Sequence, residues 1–595
     1  MVPVLLLGVL PLVVSCAATP ARPAGRSLAT SASCPGVSVY PSPGTRTAAQ
    51  TTQISFRNIV PASLHEGQVQ ITGSKSGPHT GSWLSDSDHD GASFYPAQEF
   101  AAGETVSVST ELQICGSRGT FFSFGIAVPP PTLAKPPTVA AAPTPALDQP
   151  TVSYASIPGV KVPKLKVTVP ASFGSGYIFE SPQGGTVLGG PMIVNGQGQL
   201  VWFAPLPPTV VATDFRVQRY QGKPVLTFWE GKITDGHGAG EDIVMNSSYQ
   251  VIKTIQAGNG YSADLHEFLL SFSGDTAWIT AFNTIGWDVN SEGGTQRGAV
   301  LDGIVQEVDV STGNVLFEWH SLDHAPLSLS NQTYADTAVY DYFHVNSIDP
   351  LSSGLVLISS RNTSTVYGVA TATGKVLWRL GGKRSSFQMG PGAKFAQQHN
   401  AVMESSDTIS IFDDEDANPS MAPGRAIVLR LNFPAGRATL ERAYSHHGLL
   451  VPAQGSVQIL TNGDVFVGWG SGNYTSAYTK SGKLLFDAHY GTTFTSYRAY
   501  FYRWVGTPTT PPSLATSTDP AGDLNVYASW NGSTQTRSWR VLGGPDAANL
   551  TTLATVKSAG FQTAIHLSSA QAVVQVVALG AHGQVLSSSE VVTAS

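Results

Sequence analysis

Apolar and polar residues alternate in short runs along much of this 595-residue chain, and Gly, Pro, Ser and Thr separate the runs. The segments "QISFRNI", "ETVSVSTELQI" and "TFFSFGIAV" show the pattern near the N-terminus, and "LNVYASW" and "QAVVQVVALG" show it near the C-terminus. Alternation with a period of two, bounded by turn residues, is typical of half-buried strands. The pattern therefore predicts an all-β protein.

The distribution of these runs divides the chain. Residues 30–128 and 508–595 carry short strand-like runs at regular spacing, which predicts two small β-sandwiches, the second of the immunoglobulin or fibronectin type. Between them, residues 129–150 read "PPPTLAKPPTVAAAPTPALDQP", which predicts an extended, proline-rich linker. Residues 151–507 form the largest predicted domain.

One phrase recurs in residues 151–507: a turn, usually with Gly, followed by an apolar strand that often holds Trp or Phe. Copies about 45 to 65 residues apart are typical of a β-propeller, in which each blade has about four strands. Six copies predict six blades, and closing the ring protects edge strands that an open array would expose. The copies begin at Gly196, Asn246, Thr312, Thr373, Pro434 and Ser481.

The N-terminal segment "MVPVLLLGVLPLVVSCAATP" predicts a signal peptide over residues 1–15, because its apolar run is too short to span a bilayer. The residues before Cys16 resemble a bacterial lipobox, which implies lipidation of Cys16 and a tether over residues 16–29. No Lys or Arg precedes the apolar run, so an ordinary signal peptide remains the alternative. We expect an exported, extracytoplasmic protein, anchored by lipid at the outer face of the cell membrane or otherwise secreted.

Two further cysteines, Cys34 and Cys115, lie near the ends of the N-terminal block. In an exported chain such a pair predicts a disulfide, with two buried thiols as the alternative. The bond would close a loop of about 80 residues and stabilise the fold by roughly 4 kcal/mol in the chain-entropy model.

The charge of the chain bears on its partners. Charged residues make up only 12% of the chain, and the net charge is −7 with no basic block. This balance argues against nucleic acid as a partner. No later run of apolar residues is long enough for a membrane span, so we expect membrane contact only through the lipid anchor. The oligomeric state stays open.

Polar residues interrupt apolar runs at related places in the predicted repeats. His344 and Asn346 are two apart and would share one face of a strand, and Arg361 ends the next apolar run. His266 and His399 each lie at the start of another apolar run, about one repeat before and after His344. A closed ring would bring these residues together.

This set of side chains suits the transfer of an anionic group. A guanidinium and an amide can hold the oxygens of a sulfuryl or phosphoryl group, while one imidazole attacks and another donates a proton. Singly, each histidine could be a structural hydrogen-bonding group, and Arg361 could pair with an aspartate. Three histidines could also hold zinc, but Arg361 nearby disfavours a cation, so we expect neither metal nor cofactor.

The motifs "FWEG", "DGHGAGEDIVMNSSY", "DLHEFLL", "FHVNSI", "LISSRN", "VLWRLGG", "QQHNAVM" and "ISIFDD" resemble the arylsulfate sulfotransferase family over roughly residues 155–507. The N-terminal block is similar to that of actinobacterial members. The resemblance implies a six-bladed propeller that moves a sulfuryl group from an aryl sulfate to a phenol by a ping-pong mechanism. The family does not use phosphoadenosine phosphosulfate, and the chain lacks a P-loop-like glycine motif.

The resemblance also implies roles for single residues. His399 matches the nucleophile that becomes a sulfohistidine. Arg361 and Asn346 match residues that hold the sulfuryl oxygens, while His266 and His344 match hydrogen-bond or acid–base groups near the bridging oxygen. Ser456 takes the approximate place of a threonine hydroxyl.

Other interpretations remain open at this stage. The acidic run "FDDED", which begins at Phe412, departs from the family pattern and is interpreted as a solvated turn. A cell-surface binding propeller without activity fits the same fold, and "VATATGKVLWRL" also resembles the repeat of quinone-dependent dehydrogenases. Hydrolysis would result if water replaced the acceptor phenol.

Overall fold

The computed structural model describes residues 34–64, 67–117, 119–133, 150–184, 188–414, 423–491 and 494–594. Strands account for 50% of these residues and helices for 3%, which confirms the prediction of an all-β protein. The predicted signal peptide, Cys16 and most of the proline-rich linker lie outside the described residues. Within the described ranges, no helix has the length and apolar character that a membrane crossing requires.

The described residues form 44 strands and a few short helical turns. The strands up to residue 163 are β1 (Ser38–Tyr40), β2 (Ile54–Arg57), β3 (Val69–Gly73), β4 (Gly77–His79), β5 (Gly81–Ser85), β6 (Gly91–Pro96), β7 (Thr105–Thr110), β8 (Phe121–Gly125), β9 (Thr151–Ser153) and β10 (Lys161–Pro163).

The central strands up to residue 320 are β11 (Lys166–Val169), β12 (Tyr177–Gln183), β13 (Met192–Asn195), β14 (Leu200–Phe203), β15 (Val211–Tyr220), β16 (Lys223–Thr234), β17 (His237–Met245), β18 (Val251–Ile255), β19 (Phe268–Leu270), β20 (Thr276–Trp287), β21 (Gly298–Asp309) and β22 (Val315–His320).

The remaining central strands are β23 (Val345–Leu351), β24 (Leu355–Ser360), β25 (Thr365–Ala370), β26 (Val376–Gly381), β27 (Gln388–Met389), β28 (His399–Met403), β29 (Thr408–Asp413), β30 (Arg425–Asn432), β31 (Arg437–Ser445), β32 (Ser456–Ile459), β33 (Val465–Gly468), β34 (Tyr474–Tyr478), β35 (Leu484–His489) and β36 (Thr495–Tyr502).

The C-terminal strands are β37 (Ser513–Thr518), β38 (Leu524–Ser529), β39 (Ser538–Gly544), β40 (Thr551–Lys557), β41 (Gln562–Leu567), β42 (Val573–Leu579), β43 (Val585–Ser588) and β44 (Val592–Thr593). The helical turns are α1 (Ser321–His324) and 3₁₀ turns at Pro61–Ser63, Asn290–Glu292, Leu327–Leu329 and Gly470–Gly472.

The N-terminal strands form two four-stranded sheets, with the orders β1-β2-β6-β5 and β4-β3-β7-β8. Both sheets contribute apolar side chains to one core, including Phe56, Phe94 and Val106. Cys34 and Cys115 form a disulfide with their Cα atoms 6.0 Å apart, which confirms the predicted bond.

The central strands form six antiparallel sheets that follow one another along the chain. In order, they are β36 with β12–β14, then β15–β18, β19–β22, β23–β26, β28–β31 and β32–β35; we call them the first to the sixth central sheet. Two short strands extend this set, since β27 pairs with β31 and β11 pairs with β35. The first sheet therefore joins the end of the region, β36, to its beginning.

Contacts between neighbouring central sheets run in a closed order. The strand β15 contacts both β36 and β19, β20 contacts β23, β23 contacts β28, β28 contacts β32, and β32 contacts β36. The middle strands of the fourth sheet, β24 and β25, are buried at every residue, whereas β31, farther out in the fifth sheet, exposes alternate residues. Strands covered on both faces favour continuous apolar runs, and half-covered strands favour alternation.

The C-terminal strands form two further sheets, β37-β38-β41 and β40-β39-β42-β43, with β44 paired to β42. Both terminal regions hydrogen-bond to the central sheets. The side chains of Asn314 and Asp86 join the third sheet to the N-terminal region at 2.7 Å. The side chain of Asn531 accepts a hydrogen bond from the backbone N–H of Phe203 in the first sheet at 3.0 Å.

Candidate active site

Three of the predicted histidines lie at the start of the innermost strand of three consecutive central sheets. His266 lies in the turn before β19, His344 directly precedes β23, and His399 is the first residue of β28. Because these strands start at the same end of neighbouring sheets, their first residues meet near the centre of the six sheets. The sequence spacing of about one repeat thus becomes proximity in space.

His266 is held by a neighbouring carboxylate. Its Nδ1 forms a very short hydrogen bond with Asp264 Oδ2, and its backbone N–H donates to the same oxygen at 3.1 Å. The other oxygen, Oδ1, accepts the backbone N–H of Gly238 at 2.6 Å. Burial raises the pKa of Asp264, but His266 outweighs it, so the pKa lies below its ordinary value. The carboxylate is thus ionised and leaves His266 Nε2 free.

His344 is oriented in the same way by a different aspartate. Its Nδ1 lies 2.6 Å from Asp341 Oδ2. Burial lowers the pKa of His344 to about 4 despite the opposing effect of Asp341, so the ring is neutral at pH 7. His344 adopts φ +55°, a region that costs a non-glycine residue of order 1–3 kcal/mol. This backbone conformation is held in place because His344 C=O accepts the Arg361 N–H at 2.9 Å.

His399 is buried and pairs with Asp414, whose Oδ2 lies 2.6 Å from Nδ1. Burial lowers the pKa of His399 well below its ordinary value, and the charge of Arg361 reinforces the shift. The ring is therefore neutral. Burial also raises the pKa of Asp414 well above its ordinary value, so the Nε2 lone pair is free in the state in which the proton between the two side chains belongs to Nδ1. A neutral imidazole with a free nitrogen is what a nucleophile requires.

The interpretation of the acidic run as a solvated turn is wrong for its described residues. Asp413 and Asp414 are buried, at 0% and 1% exposure. Asp413 pairs with Arg425 at 2.9 Å, and Asp414 orients His399. The two carboxylates are used inside the fold, which explains why a charged run follows an apolar strand.

The three histidines surround one space, together with an aromatic ring that the sequence had not indicated. The ring centroids of His266 and His344 are 4.9 Å apart. Tyr497, in β36 of the first sheet, lies 5.6 Å from His266 and 6.2 Å from His399. The only sequence signal for Tyr497 was its place in an aromatic strand, which core packing explains equally well.

Arg361 lies in the turn after β24, beside His399. Its guanidinium donates to Asn362 Oδ1 at 3.0 Å and to Gln397 Oε1 at 2.5 Å. The alternative drawn from the sequence was that Arg361 pairs with an aspartate. Its described hydrogen-bond partners are instead neutral amide and carbonyl oxygens. Its positive charge is consequently available to an anion.

Asn346 and Ser456 differ in their relation to the site. Asn346 is fully buried in β23, and its amide donates to the Gln398 C=O at 2.7 Å, which ties β23 to β28. Its Oδ1 has no hydrogen-bond partner among the described residues. Ser456 Oγ instead donates to the Ala499 C=O at 2.9 Å and accepts its N–H at 3.1 Å, so its hydrogen bonds go to the backbone of β36.

A buried ion network lies directly behind the histidines. Arg498 is fully buried and donates to Glu267 Oε1 and Oε2 at 2.8 and 2.9 Å. It also donates to the backbone C=O of Asn346 at 2.9 Å. Asp214 and Arg216 complete the network around Glu267 and Arg498. Because Glu267 follows His266 directly, the network fixes the backbone of two predicted site residues.

A fourth histidine, His237, lies at the tip of the β16–β17 hairpin, inside one of the motifs that carry the family resemblance. Its ring is 4.8 Å from His344 and 4.5 Å from Phe282. Burial lowers its pKa, but contact with Asp341 outweighs burial and the pKa lies above its ordinary value. Sequence reasoning missed His237 because it begins the second strand of a hairpin rather than an innermost strand.

Taken together, these residues define an all-β protein with a central site of imidazoles, aspartates and the Arg361 guanidinium. Residues 216–491 match the family model described as arylsulfotransferase (ASST), which supports membership of this family. The matched range contains all four histidines and Arg361. The match supports aryl sulfotransfer in general, and aryl sulfate and phenol substrates are consistent with it.

A search among curated proteins finds no match. Among solved structures, a protein of unknown function from Bacteroides caccae is 13% identical, covers 56% of this chain and 100% of its own, and gives a TM-score of 0.36. Virginiamycin B lyase from Staphylococcus aureus is 9% identical with coverages of 62% and 97% and a TM-score of 0.29. Quinohemoprotein alcohol dehydrogenase from Comamonas testosteroni is 11% identical with coverages of 57% and 60% and a TM-score of 0.27. At these scores the likeness says nothing about function.

Proposed function

We propose that this protein transfers a sulfuryl group from an aryl sulfate to a phenol through a covalent intermediate on His399, without phosphoadenosine phosphosulfate. The observation that carries the proposal is the pairing of His399 with Asp414 beside the charge of Arg361. The aspartate holds Nδ1 at 2.6 Å, so Nε2 is the nitrogen that remains for attack.

In the first half-reaction, Nε2 of His399 attacks the sulfur of the aryl sulfate. The S–N bond forms as the S–O bond to the aryl group breaks, and the electron pair leaves with the aryl oxygen. That oxygen takes a proton from Nε2 of His266 or His344. His266 donates when it is an imidazolium paired with Asp264, and the neutral His344 donates in the tautomer that carries its proton on Nε2. Arg361 and the second amide N–H of Asn346, the one that does not donate to Gln398, hold the non-bridging oxygens. The positive charge of the sulfated imidazole ring is balanced by Asp414.

In the second half-reaction, a phenol replaces the released product. Its oxygen attacks sulfur, the S–N bond breaks, and the electron pair returns to Nε2. The phenol proton passes to the imidazole that had donated one, so the enzyme regains its initial protonation state. Ser456 remains a proposed substrate contact, although its hydroxyl is occupied by backbone groups in the structure.

We further propose that the six central sheets are the blades of a six-bladed propeller over residues 151–507, flanked by β-sandwiches over 30–128 and 508–595. The sheet order and the closed sequence of contacts support this interpretation. We also propose export and a lipid anchor at Cys16. Trypsin treatment of intact cells should then release the protein, whereas no release would contradict exposure at the cell surface.

Steady-state kinetics test the activity. With 4-nitrophenyl sulfate as donor and phenol as acceptor, and no nucleotide added, we expect nitrophenol and phenyl sulfate in equal amounts and parallel double-reciprocal plots. Intersecting plots would contradict the covalent intermediate. Nitrophenol with free sulfate would identify a hydrolase, and no nitrophenol at all would favour a binding protein without activity.

A further inference from the structure

We propose that His237, Asp341 and His344 form a binding site for a divalent transition-metal ion, with zinc the best match to the donors. One ligand atom from each residue lies within 4.8 Å of the other two. Two imidazole nitrogens and one carboxylate oxygen are a common donor set for zinc sites that keep a coordination position open. The binding claim is independent of the activity; only the role of the ion rests on the proposed function.

The hydrogen bonds of this trio are incomplete, which sets it apart from the neighbouring histidines. Asp341 Oδ2 lies 2.6 Å from His344 Nδ1 and 3.3 Å from His237 Nε2, so both rings approach one carboxylate oxygen but only His344 hydrogen-bonds to it. Asp341 Oδ1 and His237 Nε2 are both buried without a hydrogen-bond partner among the described residues. Buried polar atoms without partners are costly, and an ion between these donors would satisfy them.

The nearby Asp264 is the contrasting case, a carboxylate whose two oxygens both accept hydrogen bonds. Its two oxygens accept from His266 and from the backbone N–H of Gly238, so no oxygen is left over. Among the described residues, no backbone N–H donates to Asp341 Oδ1. A hydrogen-bonded dyad accounts for Asp264 and His266 but leaves His237 and Asp341 Oδ1 unexplained.

The surroundings of the trio allow an ion to enter and stay. The three side chains are 12–25% exposed, which leaves a path from solvent. Arg361, which argued against zinc from the sequence, donates instead to Asn362 and Gln397, and its charge acts on His399.

An ion at this place would settle the tautomer of His344. When Nδ1 faces Asp341 through a proton, Nε2 carries a lone pair and can only accept. When Nδ1 binds an ion, the proton of the neutral ring lies on Nε2, which then donates. On the proposed function, this makes His344 the group that protonates the leaving aryl oxygen.

Calorimetric titration of the untagged, metal-free full chain with Zn²⁺ tests the site directly, with the absorption spectrum of the Co²⁺-loaded protein as a second readout. We expect binding at this site with one equivalent, weakened at least about 10–100-fold in His237→Gln and in Asp341→Asn. His566→Gln is the matched control, because Asp519, Asp523 and His566 form a separate exposed cluster in the C-terminal region. Circular dichroism shows whether each variant is folded.

The outcomes separate this site from the proposed function. No Zn²⁺ binding, or binding lost in His566→Gln and retained in His237→Gln and Asp341→Asn, would overturn the metal site. If such a protein still transferred sulfuryl groups, the proposed function would stand without the ion. If His237→Gln loses Zn²⁺ binding and the wild-type protein shows no transfer activity, the metal site stands and the proposed function is rejected.

Discussion

Two buried histidines of the central sheets, His399 and His320, are surrounded by charge in opposite ways. His320 lies at the end of β22 in the third sheet, with Nδ1 2.7 Å from Asp302 and Nε2 3.0 Å from Glu318. Burial lowers its pKa, but the two carboxylates outweigh burial and hold the pKa well above its ordinary value. His320 is therefore a cation with both nitrogens occupied.

His399 has one carboxylate instead of two and a guanidinium nearby, so burial and like charge keep it neutral with Nε2 unoccupied. The comparison teaches that burial alone does not decide what a histidine does. The number and sign of neighbouring charges decide whether a ring nitrogen remains for chemistry. The same residue type stabilises one sheet and forms the proposed nucleophile in another.

The largest effects should come from replacing each histidine by glutamine. His399→Gln should lower kcat/KM at least about 10⁴-fold, because it removes the nucleophile, while the free energy of unfolding changes little. His320→Gln should lower that free energy by about 3–5 kcal/mol, because two buried carboxylates lose their cation. Transfer assays and urea unfolding of both variants check the pair. An unstable His399→Gln, or a fully stable His320→Gln, would break the comparison.

Replacing Arg361 by methionine should have the next largest effect, because on the proposed function it removes a charge that holds the substrate and that also lowers the pKa of His399. We expect a loss of about 10²–10³-fold in kcat/KM. Without the guanidinium, the pKa of His399 rises, so the acidic limb of the pH–rate profile should move to higher pH. Arg425→Met is the control, because it removes a different guanidinium, the partner of Asp413, and should leave the acidic limb in place. An unmoved limb would show that Arg361 does not act on His399.

The smallest effect concerns the pH dependence of stability. The pKa of His320 is higher in the folded protein than in the unfolded chain, so the folded state binds more protons above pH 6.5. Its stabilising contribution is complete below about pH 6.5 and declines as pH rises, by at most about 1.4 kcal/mol per pH unit. Urea unfolding between pH 6 and 9 should show this slope in the wild type and lose it in His320→Gln. Equal slopes in both proteins would mean that His320 is not protonated in the fold.

Much of the central region could be predicted from the sequence. Each of the six recurring phrases supplies or leads into an outer strand of a different central sheet, because a Gly turn before an apolar strand is a local signal. His266, His344 and His399 meet because each precedes an innermost strand. Arg361 joins them because β24 returns alongside β23 and brings its end next to His344.

Other parts of the site could not be predicted, since their partners are distant in sequence. Asp414 lies 15 residues beyond His399 and meets it only through the pairing of β28 with β29. Arg498 shows the same signal that marked Arg361, a charged residue in an apolar run, but its partners come from other sheets. The roles of the individual residues remain predictions, since contact geometry shows position and not reaction.

The central claim, that Nε2 of His399 carries the sulfuryl group, is tested most directly by trapping the intermediate. The full chain is incubated with 4-nitrophenyl sulfate and no acceptor, and intact mass and peptide mapping follow. The account predicts one sulfuryl group, located on His399, absent from His399→Gln and discharged when phenol is added. Transfer to phenol with no adduct on the protein, or an adduct on another residue, would contradict it.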